Sequence, residues 1–293
     1  MAVNDTWTTA VAAGALDLAT NDVVTETIWD QLISNLNQLG GATGQAAPRG
    51  HLAGMTLSKS AADTIGIAAG VCRSSADTRT LRVASAYTKT SAAWAVGTGN
   101  GGLLAGTYVA NTWYHVFAIF RDDTDVVDYG FEAATTPTLP TNYTHYRRIG
   151  SFRTDAAPDI TAFVQVGDEF LWNVTLEDVD ATVNSAAAQT VTLTLPTGLK
   201  VWALYRGGIE DVTTLGRAVL FTAPDEDDQV TGGIGIAPGS SLSNAATGAG
   251  VTAHFHTRTN TSGQIRYRWS AADVDARVVI NTYGWIDRRG QDD

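Results

Sequence analysis

Apolar and aromatic side chains fill the stretch WYHVFAIFR, residues 113 to 121. Four polar residues, Asp122, Asp123, Thr124 and Asp125, interrupt it, and VVDYGF resumes at Val126. That order predicts a β-hairpin closed by a four-residue loop. Similar short runs recur down the chain: LRVAS, HYRRIGSF and ITAFVQVGDEFLW, then TVTLTLP, KVWALYRGG, AVLFTAP, VTAHFHTRT, GQIRYRW and RVVINTYGWIDRRG. TVTLTLP alternates cleanly, as a half-buried antiparallel strand does. Turn signals such as residues 137–142 and 154–158 separate the runs. The pattern predicts a mainly β fold, an antiparallel β-sandwich or jelly-roll body of one or two modules.

One segment has helical spacing. In DVVTETIWDQLISNLNQLGG, residues 22 to 41, Trp29, Leu32, Leu36 and Leu39 are spaced three, four and three apart, and Ile28 and Ile33 widen the stripe. Thr25 can cap the start, Glu26 and Asp30 suit the positive end of the dipole, and Gly40 and Gly41 stop the helix. About two heptads are too few for a coiled coil by themselves. Docking on the body, a short symmetric bundle and insertion into another protein all fit this stripe. The predicted organisation is an attachment segment at 1–41, a Gly- and Ala-rich linker at 42–57, a first β module at 58–175 and a second at 176–293. Residues 224–250 read as one long polar, glycine-rich loop. No solenoid repeat is visible.

Composition fits this picture and narrows the partners. Of 293 residues 44% are hydrophobic and 17% charged, so a buried core is within reach. The net charge of −11 argues against nucleic acid and against anionic membrane surfaces as main partners. Cys72 is the lone cysteine, so no intrachain disulfide forms, which suits assembly in a reducing cytoplasm. The first residues lack a basic leader and any stretch long enough to span a bilayer, so neither export signal nor membrane insertion is expected.

Candidate chemistry is sparse, and no cofactor or catalytic residue is assigned. GTGNGG, residues 97–102, spells a dinucleotide fingerprint with Asp122 about twenty residues on, but no helical stripe follows to hold a pyrophosphate. A flexible loop is the better expectation. The aspartates of DDTD resemble a calcium loop poorly and suit a turn well. His254 and His256 alternate on a predicted strand and face one side, where a threefold assembly would bring three pairs together. They are the candidate metal residues, with no neighbouring repeat to support them, and no metal is assigned. Nucleophile and zinc-hydrolase motifs are missing, Asp168 and Glu169 should face opposite sides, and Asp225–Asp228 reads as a solvated acidic turn. Trp94, Trp113, Tyr114, Trp172, Trp202, Trp269 and Trp285 fall in or beside predicted strands; core or interface is the expected role for most, sugar contact for any exposed face. Arg147, Arg148, Arg288 and Arg289 are expected to pair with carboxylates.

The segments VVTETIWDQLISNLNQL, TKTSAAWAVGTGNGG, NTWYHVFAIFR, TPTLPTNYTHYRRIGSFRTD and GWIDRRG, in that order, resemble a family of tailed-bacteriophage tail or fibre structural proteins. The resemblance implies a non-enzymatic virion component assembled in the host bacterial cytoplasm. It implies a homotrimer, attached to another virion protein through the N-terminal segment (Ile28, Trp29, Leu32, Ile33, Leu36, Leu39), with the β body projecting outward to the host surface, where a surface glycan is a candidate partner. It carries over no ligand-binding residues. A head fibre or spike decorating the capsid, and a carbohydrate-binding module, are the alternatives.

Overall fold

Valine, threonine and aromatic residues dominate the runs between turn signals, and in the computed structural model those runs are strands. Residues 30, 48–182, 185–231, 240–244 and 246–291 are described. The expected N-terminal helix lies outside them apart from Asp30. Among the described residues nineteen strands follow one another: β1 Leu52–Gly54, β2 Leu57–Ala61, β3 Thr64–Ile67, β4 Gly70–Arg73, β5 Thr80–Val83, β6 Tyr87–Ala93, β7 Gly101–Leu103, β8 Trp113–Arg121, β9 Val126–Glu132 and β10 Tyr143–Arg153. The second half supplies β11 Phe163–Val166, β12 Glu169–Ala181, β13 Gln189–Thr192, β14 Trp202–Asp211, β15 Ala218–Thr222, β16 Ser240–Ser243, β17 Val251–Arg258, β18 Gln264–Trp269 and β19 Ala276–Ile286.

The strands form four sheets. Orders β1-β4-β5 and β10-β8-β9-β7-β6-β3-β2 use the first half; β11-β12-β19-β14-β17 and β13-β18-β15-β16 use the second. Pairing is antiparallel except where short β7 joins β6 and β9 in parallel. The mainly β, sandwich-like expectation therefore holds for the described residues. β12 runs unbroken through residue 175, where a module boundary was expected, and pairs with the last strand, β19. The expected long loop at 224–250 contains β16, which pairs with β15.

The predicted hairpin is present as β8 and β9, joined by residues 122–125. Trp113 through Phe120 are all buried, because β8 is covered on both faces. One face, with Tyr114, Val116, Ala118 and Phe120, joins the main core; Phe117 and Ile119 on the other pack with Tyr143, Trp94 and Leu104. In the loop, Asp122 accepts hydrogen bonds from Arg79 Nε at 2.8 Å and Thr144 Oγ1 at 2.6 Å, and its carboxylate lies 2.9 Å from His145 Nε2. Asp125 adopts φ of +52°, a conformation that Asp tolerates better than most residues.

GTGNGG is neither a cofactor cradle nor a free loop. Its last two glycines already belong to a strand, β7, where a dinucleotide site would need a helix to start. Gly97, at φ +100°, donates its N–H to Asp128 Oδ2 at 2.8 Å. Asp128 in turn holds the fully buried Lys89 at 2.9 Å, and Lys89 Nζ donates to Ala95 O at 2.7 Å. Burial lowers the Lys89 pKa, while the bond to Asp128 opposes that shift.

The main core runs through both halves. Trp113 of β8 meets Trp285 of β19 edge to face at 5.3 Å between centroids, Trp172 of β12 lies 5.0 Å from Trp285, and Phe170 stacks on Trp285 at 4.9 Å. Such pairs add about 0.5–1.5 kcal/mol each beyond the burial of their area.

Candidate functional site

Two places bring polar chemistry together. The first is the seam between the halves, where the end of β19 folds against β10. Arg148 Nη1 and Nη2 donate to Asp287 Oδ2 and Oδ1 at 2.7 and 2.6 Å. Arg289 donates to Asp168 at 2.9 Å, and Arg147 Nε to the Arg289 carbonyl at 3.1 Å. Both Arg–carboxylate pairings match the sequence expectation for Arg148 and Arg289, and Arg147 also donates to the backbone carbonyl of Gly50. The acidic run at 225–228 is exposed, as expected of a solvated turn, and two of its carboxylates also find cations. Asp225 accepts from Lys200 and Arg258, each at 2.8 Å, and Asp228 from Arg268 at 2.7 Å.

Beneath the seam, His115 of β8 faces Ser151 of β10, with Nδ1 2.8 Å from Oγ. Sequence reading passed over this pair because the two residues lie on different strands with no motif linking them. Burial pushes the imidazole pKa down to about 4, the charge of Arg148 pushes the same way, and Asp287 and the Thr197 backbone oppose it. At neutral pH the ring is therefore uncharged. A histidine beside a serine hydroxyl is the start of a nucleophilic pair, but activation also needs access and an orienting group. Both side chains are essentially unexposed, and Asp287 bonds to Arg148. A cleft of about 540 Å³ opens nearby between Thr135, Tyr146, Arg148, Lys200 and Arg288, and neither His115 nor Ser151 lines it. Its geometry makes the pair a packing element of the seam.

The second place is the outer face of the five-stranded sheet. Register sets Arg206 of β14 between His254 of β17 and Asn281 of β19, and Gly208 between Thr252 and Val279. The neighbouring glycines of YRGG divide the labour. A Cβ on Gly207 would meet the Phe255 and Phe221 rings at 2.9 and 3.0 Å, so this position faces the core. A Cβ on Gly208 would stand 3.2 Å from Thr252 Cγ2 on the opposite face. Lacking one, Gly208 floors a groove of about 270 Å³ together with Val279. Arg206 and Asn281 bound the groove at one end, Glu210 and Arg277 at the other. Arg206 Nη2 donates to Thr252 Oγ1 at 3.1 Å, and Arg277 is held by both Asp180 oxygens at 2.7 Å.

His254 and His256 both lie exposed on this face of β17, the edge strand. The His254 ring meets Tyr283 edge to face at 5.3 Å. Further along β14, Trp202 is 46% exposed; Trp113, Trp172, Trp269 and Trp285 are buried. Among the described residues no group of three or more His, Cys, Asp and Glu side chains is gathered as a metal site. Cys72 is buried, and desolvation raises its thiol pKa to about 12, so it offers no ready thiolate.

No family model and no curated protein matches the chain. Among solved structures it is similar to a crystal structure of a Bacillus thuringiensis Cry1Da tryptic core variant. The identity is 9% over 83% of this chain and 54% of that one, with a TM-score of 0.21. The chain thus spans about half the length of that protein, and a likeness at this level carries no argument.

Proposed function

We propose that the chain is a non-enzymatic structural component of a tailed-phage virion, a tail fibre or receptor-binding part that meets the host surface. One observation carries this reading. Three of the segments on which the phage resemblance rests converge at the seam: NTWYHVFAIFR supplies Trp113, TNYTHYRRIGSFRTD supplies Arg148, and GWIDRRG supplies Trp285 and Asp287. A fourth, TKTSAAWAVGTGNGG, supplies the buried Lys89 and the loop it pins. The resemblance therefore lies in the residues that set the architecture, and not in interchangeable surface loops.

The finer features belong to the same proposal: jelly-roll modules, an amphipathic helix that attaches the chain to another virion protein, trimeric assembly in the host cytoplasm, and a β body that projects outward. Mass spectrometry of purified particles should find the chain at stoichiometric abundance, and antibody labelling should place it on the tail. Label confined to the capsid would select the head-fibre alternative, and absence from particles would reject the virion reading. Light scattering should report a trimer; a stable monomer at micromolar concentration would reject that part.

A further inference from the structure

From the groove above Gly208 and the exposed face leading to Trp202, we infer that the outer face of the five-stranded sheet binds a neutral oligosaccharide lying along β14. The inference rests on the surface-binding role proposed above for its biological setting, but its chemistry stands on the face itself. A sugar ring presents two demands together. Its C–H faces need apolar contact, and its hydroxyls need directional donors and acceptors.

The groove meets both. Gly208 and Val279 make an apolar floor that side chains do not fill. Around it stand the Asn281 amide, able to donate and accept, the Glu210 carboxylate, the Thr252 hydroxyl and the Arg206 guanidinium. From Gly208 to Trp202 the strand runs for about 20 Å at the usual rise per residue. That run passes Arg206 and His254, crosses the covered Leu204 beside His256, and ends at the half-exposed indole. The face therefore offers polar anchors at one end and a ring at the other, in a line suited to several linked sugars.

Charge chooses among ligands. Arg206 and Arg277 are balanced by Glu210 and by Asp180, which grips Arg277, so these four charges sum to zero. A polyanion such as nucleic acid gains nothing there. A lipid tail would find too little apolar depth in so small and polar-rimmed a hollow.

The test uses the purified full chain on an array of neutral bacterial and plant oligosaccharides, with uronic-acid oligomers as acidic probes. Titration calorimetry then follows up each hit. Wild type should bind at least one neutral probe. The pair Arg206→Ala and Asn281→Ala should weaken that binding about tenfold or more, with melting unchanged because both side chains face outward. Trp202→Phe should abolish any fluorescence change on binding while the chain stays folded. A neutral hit that survives the Arg206 and Asn281 changes overturns the site, and binding of acidic probes alone overturns the neutral assignment. No neutral hit at all overturns the whole inference. None of these outcomes depends on finding the chain in particles, so failure here is distinguishable from failure of the virion reading.

Discussion

Arg148 and Asp287 stand 139 positions apart and meet through two hydrogen bonds of 2.7 and 2.6 Å, with the Asp287 side chain 2% exposed. The middle of β10 is thereby tied to the last described turn of the chain. Burial pushes the Asp287 pKa up, but the charge and hydrogen bonds of Arg148 together with the Arg289 N–H outweigh it and hold the carboxyl below its usual range.

Breaking that pair from one side leaves a buried charge. Asp287→Ala should cost about 3–5 kcal/mol, while Arg148→Met combined with Asp287→Leu should cost markedly less. Denaturant unfolding of the two variants checks the order. Equal losses would mean that the ion pair is not what holds the seam.

Lys89 poses the same problem within the first half. Lys89→Met should destabilise by about 3–5 kcal/mol by stranding Asp128. It should also speed hydrogen exchange at the Gly97 amide, which Asp128 accepts. A slowly exchanging Gly97 in that variant would show the loop to be held by something else.

Removing Trp285, which touches Trp113, Trp172 and Phe170, should be among the costliest single changes. Trp285→Ala should lose about 3–5 kcal/mol. Trp285→Phe keeps the stack on Phe170 and should lose less, and its near-ultraviolet circular dichroism should fall as the coupled indoles part.

Stability should depend on pH in two windows. The folded-state pKa of His115, about 4 against 6.5 when free, means that the unfolded chain takes up a proton first as pH falls. Stability from this residue is therefore present above 6.5 and drains away between 6.5 and 4, on the order of 3 kcal/mol in all. Asp122, depressed to about 2 mainly by the Thr144 and Arg79 hydrogen bonds, and Asp225, depressed to about 2 by Lys200 and Arg258, act lower. Their contribution is present above about 4 and is lost as pH falls towards 2. Melting temperature followed against pH should show the upper step in wild type, and His115→Gln should remove it.

Local pattern was enough to read β5 and most strands from β8 onward, though not β1–β4, β6 and β7, together with the β8–β9 hairpin and its aspartate-rich loop and the tendency of Arg148 and Arg289 to find carboxylates. Side-chain alternation and turn chemistry act between near neighbours, so a single pass along the chain exposes them. Pairing over long distances was not legible. That β12 crosses residue 175 to join β19, that β7 pairs in parallel with β6 and β9, and that Ser240–Ser243 forms a strand inside a glycine-rich stretch are matters of register between remote segments.

The sites divide in the same way. His254 and His256 could be placed on one face from their spacing alone, and that face is where they lie. The groove beside them needed three strands brought into register, so that Gly208, Thr252 and Val279 fell level with one another. The inert setting of His115 and the pinned loop at Gly97 also came from partners far along the chain. Sequence determined which residues alternate in and out, because that depends on the backbone's own period. Tertiary structure decided which charges and hollows coincide, because burial of a shared core selects one strand order among many.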